Sequence, residues 1–250
     1  MATMEITEHI KYLAAEGQLL AGTAERAGTG AAVATCPKWR VRDLLRHTGM
    51  VHRWATAFVT EGHPSYHPAE GEPDLDGAEL LGWFREGHGR LVSALTEAPD
   101  SLACWAFLPA PSPRAFWARR QAHETAVHRA DAQSALGAVV PDMAPEFAAD
   151  GIDELLCGMH SREKSRVRTP KAAVLRVRAT DTADVWTVHL SDRAPRTVRT
   201  DGGDADCELS GTAAELYLAL WNRLPLEAVT VSGDEGVALL WRETSAVTWS

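Results

Sequence analysis

The sequence has no surplus of basic residues, no long apolar run and no closely spaced cysteines. Lysine and arginine total 25 against 34 aspartates and glutamates, a formal net charge of −9. Binding a phosphate backbone needs a basic face, so this balance argues against a nucleic-acid partner. The one dense basic run, HSREKSRVRTPK at 160–171, reads as a linker. No stretch approaches the roughly 20 apolar residues that cross a bilayer, and the opening MATMEITEHIKYL has no signal-peptide core. Neither membrane insertion nor secretion is expected, which leaves the cytoplasm. Cys36, Cys104, Cys157 and Cys207 lie far apart with no C-x-x-C pair. They read as free thiols packed as small apolar side chains, and none stands in a context that would activate it as a nucleophile. Internal repeats and low-complexity segments are also missing.

What is present is a change of period. In the first half, Ile10, Leu13, Gly17, Leu20 and Ala24 fall at helical spacing within 6–27. A second helix is expected over 39–61, stopped by Gly62 and the turn-rich GHPSYHPAEGEPD. A third covers 76–97, with Leu80, Phe84, Gly87, Leu91 and Leu95 on one face, and a fourth runs from about 114 to 136. Four long amphipathic helices predict an up-down bundle. A fifth helical segment, about 142–160, leads to the basic run. Beyond it AVLRVRA (173–179) and VWTVHLS (185–191) alternate as strands do, and RTVRT (196–200) and DCELSG (206–211) add two more. A helix over 212–223, opened by Thr212 with Glu215 three residues on, precedes AVTVSG (228–233) and a last helix over 234–242. The fold class is α+β: a helical domain, 1–165, and a small α+β domain, 166–250.

Within the fourth helix, RRQAHETAVHRAD (119–131) resembles the H-E-x-x-H zinc signature with one residue too many. Glu124 and His128 are four apart and share a face, whereas His123 is five from His128 and points elsewhere. A carboxylate and an imidazole one turn apart can reach one cation, and a facing helix can supply a third ligand. The second helix offers His47 and His52. If the second and fourth helices run parallel, His47 lies about 12 Å below its helix start and Glu124 about 15 Å below its own, at about 1.5 Å per residue. His52 also falls at a compatible depth, and both histidines border apolar residues, so periodicity does not choose between them. Asp43, one turn before His47, is either a partner that orients its imidazole or an acidic residue favoured in the first helical turn. His63, His67, His88, His160 and His189 read as surface or loop histidines.

Trp39 with RVRDLLRH to His47, then RQAHETAVHRAD, then LALWNR followed by PLEAVTVSGD, together resemble the mycothiol-dependent maleylpyruvate isomerase family. The resemblance spans essentially the whole chain. It implies a DinB-like metal-binding four-helix bundle followed by a sterol-carrier-like C-terminal domain. It places the family's metal triad on His47, Glu124 and His128, and puts on Arg223 the arginine that the family brings from its C-terminal domain. Two imidazoles and a carboxylate with an open position match catalytic zinc, although non-haem iron(II) uses the same set. A free thiol is mostly protonated near neutrality, and coordination to a dication deprotonates it. The resemblance names that thiol as mycothiol and, with it, an actinobacterial source.

The resulting expectation is a divalent-metal enzyme, with Zn2+ as the ion, that adds a small-molecule thiol to a small electrophilic substrate. If the thiol stays, the outcome is S-transfer, the reading preferred at this point. If it leaves again, the outcome is the cis-trans isomerisation of maleylpyruvate. A non-catalytic small-molecule-binding module and a DinB-like metal hydrolase are the competing classes. The sequence leaves the oligomeric state open, a monomer included.

Overall fold

The structure, a computed structural model, describes residues 4–247. Contacts divide the chain into two compact units, Met4–Val140 and Pro141 onward. The first consists of α1 (Ile6–Ala27), α2 (Val41–Glu61), α3 (Gly77–Glu97) and α4 (Pro113–Ser134). Local sequence sets their ends. The Asp76 carboxylate accepts the Gly77 N–H at the start of α3, and Ser112 Oγ accepts from Ala115 N at 3.1 Å, ahead of a proline in the first turn of α4. Gly62 closes α2 at a φ of 68°, a left-handed backbone that glycine adopts without a Cβ clash. The expected stripes are buried: Leu13, Leu20, Leu44, Phe58, Leu80, Phe84, Leu91 and Leu95 form the bundle core.

Around the bundle the helices follow the order α1–α4–α2–α3, so α1 and α2, like α3 and α4, sit across the diagonal. This corrects the simple up-down arrangement. The connections 28–40 and 98–112 are long enough to cross the bundle end, and a ring of sequential neighbours would need only short loops. The order matters because it sets α2 directly beside α4. Gly17 admits close contact between α1 and α3, since a Cβ there would lie 2.2 Å from His88 Nε2. That ring, expected at the surface, is buried and hydrogen-bonds Leu13 O at 2.9 Å. α4 breaks the amphipathic pattern: Arg120, Gln121, His123, Glu124, Thr125, His128, Arg129 and Asp131 are all buried.

In the second unit, α5 (Pro145–Asp153) runs into a π-helical turn, Glu154–Met159. The strands β1 (Ala173–Ala179), β2 (Val185–Leu190), β3 (Arg196–Val198), β4 (Cys207–Gly211) and β5 (Thr230–Gly233) form one sheet in the order β3-β2-β1-β4-β5. Only β1 and β4 run parallel; Val177 of β1 pairs with Leu209 on that side and with Trp186 of β2 on the other. Helices α6 (Ala213–Leu220) and α7 (Glu235–Thr244) pack on β1 and β4. Thr212 and Glu215 cap α6 reciprocally, and Asn222, at a left-handed φ of 62°, ends it. The division falls after Val140 and not near 165, because α5 packs against α6. His160 is buried too, its ring edge-on to Trp241 with centroids 4.8 Å apart. Among the described residues no helix is long and apolar enough to cross a membrane.

Candidate metal centre

His47 lies two turns into α2, and Glu124 and His128 face it from the middle of α4. One ligand atom from each lies within 4.8 Å of the other two. Glu124 Oε1 is 3.2 Å from His128 Nε2 and 3.7 Å from His47 Nε2. The two imidazoles meet edge to face with centroids 5.2 Å apart. Trp39, from the loop before α2, lies against both rings, with centroids 5.0 Å from His47 and 6.0 Å from His128. Glu124 and His128 are buried and His47 is half-buried.

The outer atoms are also engaged. Arg120 Nη2 donates to Glu124 Oε2 at 3.1 Å, and His128 Nδ1 bonds Asp131 Oδ2 at 2.9 Å. Thr35 Oγ1 donates to the other Asp131 oxygen at 2.5 Å. His47 Nδ1 has Glu72 Oε1 3.9 Å away, too far for a hydrogen bond. Burial alone would raise the Glu124 carboxyl, but hydrogen bonds from His128 and His47 and the charges of His128 and Arg120 hold it well below the usual range. Burial alone would lower His128, yet Asp131 and Glu124 outweigh it and push the imidazole up to about 9. The pocket therefore favours positive charge between its inner atoms. A buried carboxylate with two imidazole nitrogens turned toward it is the donor set that a divalent ion takes up in exchange for a proton.

The alternatives lie elsewhere. His52 is fully buried and hydrogen-bonds Thr125 Oγ1 at 2.9 Å; burial first, then His88, holds its pKa well below the ordinary value. His123 is buried with its ring 6.1 Å from that of His9. Asp43 accepts the Arg40 N–H at 2.8 Å at the start of α2, and so serves the helix end. Arg223 belongs to the second unit, in the turn after α6, where its guanidinium donates to Trp221 O at 2.8 Å. Sequence reasoning missed Arg120, Asp131 and Thr35. Arg120 and Asp131 carried a signal, since they sit four before Glu124 and three after His128 on the same face; Thr35, in a loop, carried none.

Residues 12–133 match the family model of the mycothiol maleylpyruvate isomerase N-terminal domain, and 146–240 match the MDMPI C-terminal domain. The chain belongs to the mycothiol-dependent maleylpyruvate isomerase family. Its fold is similar to the crystal structure of a mycothiol-dependent maleylpyruvate isomerase, with a TM-score of 0.64 at 15% identity, over 93% of this chain and 96% of that one. A histidine-to-alanine mutant of a mycothiol-dependent maleylpyruvate isomerase matches with a TM-score of 0.64 at 14% identity, with the same coverage. These likenesses establish the maleylpyruvate isomerase fold over both units. A third, to the ubiquinone synthesis protein UbiJ-SCP2 over 40% of this chain, has a TM-score of 0.31 and is too weak to bear on the fold. No curated protein matches the sequence.

Proposed function

We propose that the chain is a metal- and mycothiol-dependent enzyme that adds a thiol to a small electrophile. The observation that carries this reading is the convergence of His47, Glu124 and His128, with their inner donor atoms within 4.8 Å of one another. Two imidazoles and one carboxylate fit a catalytic divalent ion, and zinc is the proposed one. When bound, that ion supplies Lewis acidity that lowers the pKa of a small-molecule thiol toward neutrality. The protein residues hold and orient: His47, Glu124 and His128 as ligands, with Trp39 shielding the imidazoles on one side. Arg223 is proposed as the bidentate donor that neutralises a carboxylate or developing negative charge on the electrophile. Family membership supports mycothiol as the thiol, and its naming for maleylpyruvate isomerases supports reversible addition. In that reaction the thiolate adds to a cis double bond, the resulting single bond rotates, and expulsion of the thiolate leaves the trans isomer. S-transfer shares the first step and keeps the adduct; identities of 14% and 15% to the matched structures are compatible with a different electrophile.

The deciding experiment is turnover of zinc-loaded protein on maleylpyruvate and a panel of other electrophiles, with mycothiol, glutathione and no thiol compared. Mycothiol-dependent formation of the trans isomer without thiol consumption supports the isomerase. A stoichiometric thioether adduct supports the S-transferase. Turnover that proceeds equally without any thiol overturns both in favour of a hydrolase.

A further inference from the structure

Each donor of the proposed centre also has an outward-facing atom, and the structure shows which of these are held. On α4 four side chains line one face at intervals of four, four and three: Arg120, Glu124, His128 and Asp131. The first and last engage the outward atoms of the middle two. A carboxylate can bind a metal through one oxygen or both. For Glu124 to use both, Oε2 must turn away from the buried guanidinium of Arg120, 3.1 Å from it and one helical turn behind. That would take the carboxylate from a cation that is itself desolvated, which is unfavourable.

An imidazole likewise can bind through either nitrogen. Both nitrogens of His128 face carboxylates, Nδ1 the fully buried Asp131 and Nε2 Glu124 at 3.2 Å. A cation bound between the inner atoms displaces the Nε2 hydrogen, while Asp131 keeps the one on Nδ1. Asp131 is itself fixed. Thr35 Oγ1 donates to its second oxygen, and Ser134 Oγ donates to its backbone carbonyl at 2.7 Å while lying 3.2 Å from the Thr35 hydroxyl. His47 contrasts, with no hydrogen bond shown between its outer nitrogen and Glu72.

Building on the proposed metal reading, we infer that Arg120 and Asp131 are the positioning residues of the centre. Arg120 restricts Glu124 to one-oxygen coordination, and Asp131, braced by Thr35, restricts His128 to coordination through Nε2. Among the described residues the triad then supplies three donor atoms, so a four-coordinate ion would keep one position for an exogenous ligand.

Cobalt(II) loaded into the full chain tests this, because its visible d–d absorption is intense when four-coordinate and weak at higher coordination. Wild-type protein should show the intense bands. Arg120→Met should weaken them as Glu124 Oε2 joins the ion. Asp131→Ala should lower cobalt affinity roughly ten- to hundredfold, with partial rescue in Asp131→Asn, which keeps an acceptor. A merely structural role would lower the melting temperature and leave band intensity and affinity unchanged. Wild-type intensity in Arg120→Met overturns the first assignment, and wild-type affinity in Asp131→Ala overturns the second. If Arg120→Met does not fold, a crystal structure of the zinc-loaded wild type decides instead: one Glu124 oxygen on the ion supports the inference, and two overturn it. Failure of the wild-type protein to take up cobalt overturns the functional reading beneath the inference, and shows as missing bands in every variant.

Discussion

His47 and His52 were indistinguishable by helical periodicity because both stand on inward-facing parts of α2. Their hydrogen bonds separate them. The Thr125 hydroxyl donates to Gln121 O at 2.7 Å, so toward His52 it accepts and takes the Nε2–H. His52 thus spends its Nε2 on Thr125, while His47 turns Nε2 to Glu124. Metal analysis of purified variants should find His47→Ala and His128→Ala largely emptied and His52→Ala and His123→Ala still loaded; near-stoichiometric metal in His128→Ala would remove the assignment. The Glu124/His128 pair was legible because i, i+4 spacing fixes a shared face. Arg120 and Asp131 lie on that face by the same spacing, but a helical wheel gives a direction and not a partner, so their role at the centre was not legible. His88 and His160 were misplaced at the surface because the polar ring was weighed above its neighbours: Phe84 and Leu91 flank His88 at helical spacing, Leu156 lies four before His160, and packing covers both.

His160 also carries a pH dependence. Burial lowers its pKa from 6.5 to about 4, so the unfolded chain binds the proton more readily than the folded one. Its contribution is complete above about pH 6.5, is lost as the pH falls from there toward 4, and is flat below; the loss is at most about 3.5 kcal/mol at about 1.4 kcal/mol per unit. Urea unfolding of wild type and His160→Gln between pH 7.5 and 4 should show the wild-type stability falling more steeply. Parallel curves would assign the acid lability to other groups.

At the scale of elements, the helix and strand positions were legible because caps, glycines and prolines mark ends locally. Thr212 and Glu215 announced α6, Gly62 ended α2, and the strand over 173–179 formed as read. The order of helices around the bundle was not legible, since that depends on how long loops cross rather than on any stripe. α4 itself obeys no amphipathic pattern, because its buried polar side chains are matched by partners along the helix, as Arg120 by Glu124 and His128 by Asp131, or on other elements, as Arg129 by the Glu16 carboxylate of α1. Gly17 is the local condition for the α1–α3 contact. Gly17→Ala would drive a methyl group into the His88 ring and should cost about 1–3 kcal/mol. A chemical-denaturation midpoint equal to that of wild type would show that the ring moves aside freely.

For the whole molecule, the two-unit organisation followed from the change of period near the middle of the chain, but the place of division did not. Helical spacing continues through 145–153, so sequence assigned those residues to the bundle, whereas packing places α5 with α6. Arg223→Ala should keep its metal yet lose turnover by roughly a hundred- to a thousandfold, equivalent to about 3–4 kcal/mol of transition-state stabilisation, and Lys should rescue poorly because it lacks the planar fork. Full mycothiol-dependent turnover in that variant would remove Arg223 from the mechanism while leaving the metal ligands in place. The central claim is that the ion held by His47, Glu124 and His128 receives the thiol directly. It is tested most directly by adding mycothiol to the cobalt-loaded protein and recording the near-ultraviolet spectrum. A sulfur-to-cobalt charge-transfer band, absent from His128→Ala, is the predicted result; no such band at mycothiol concentrations that sustain turnover would contradict it.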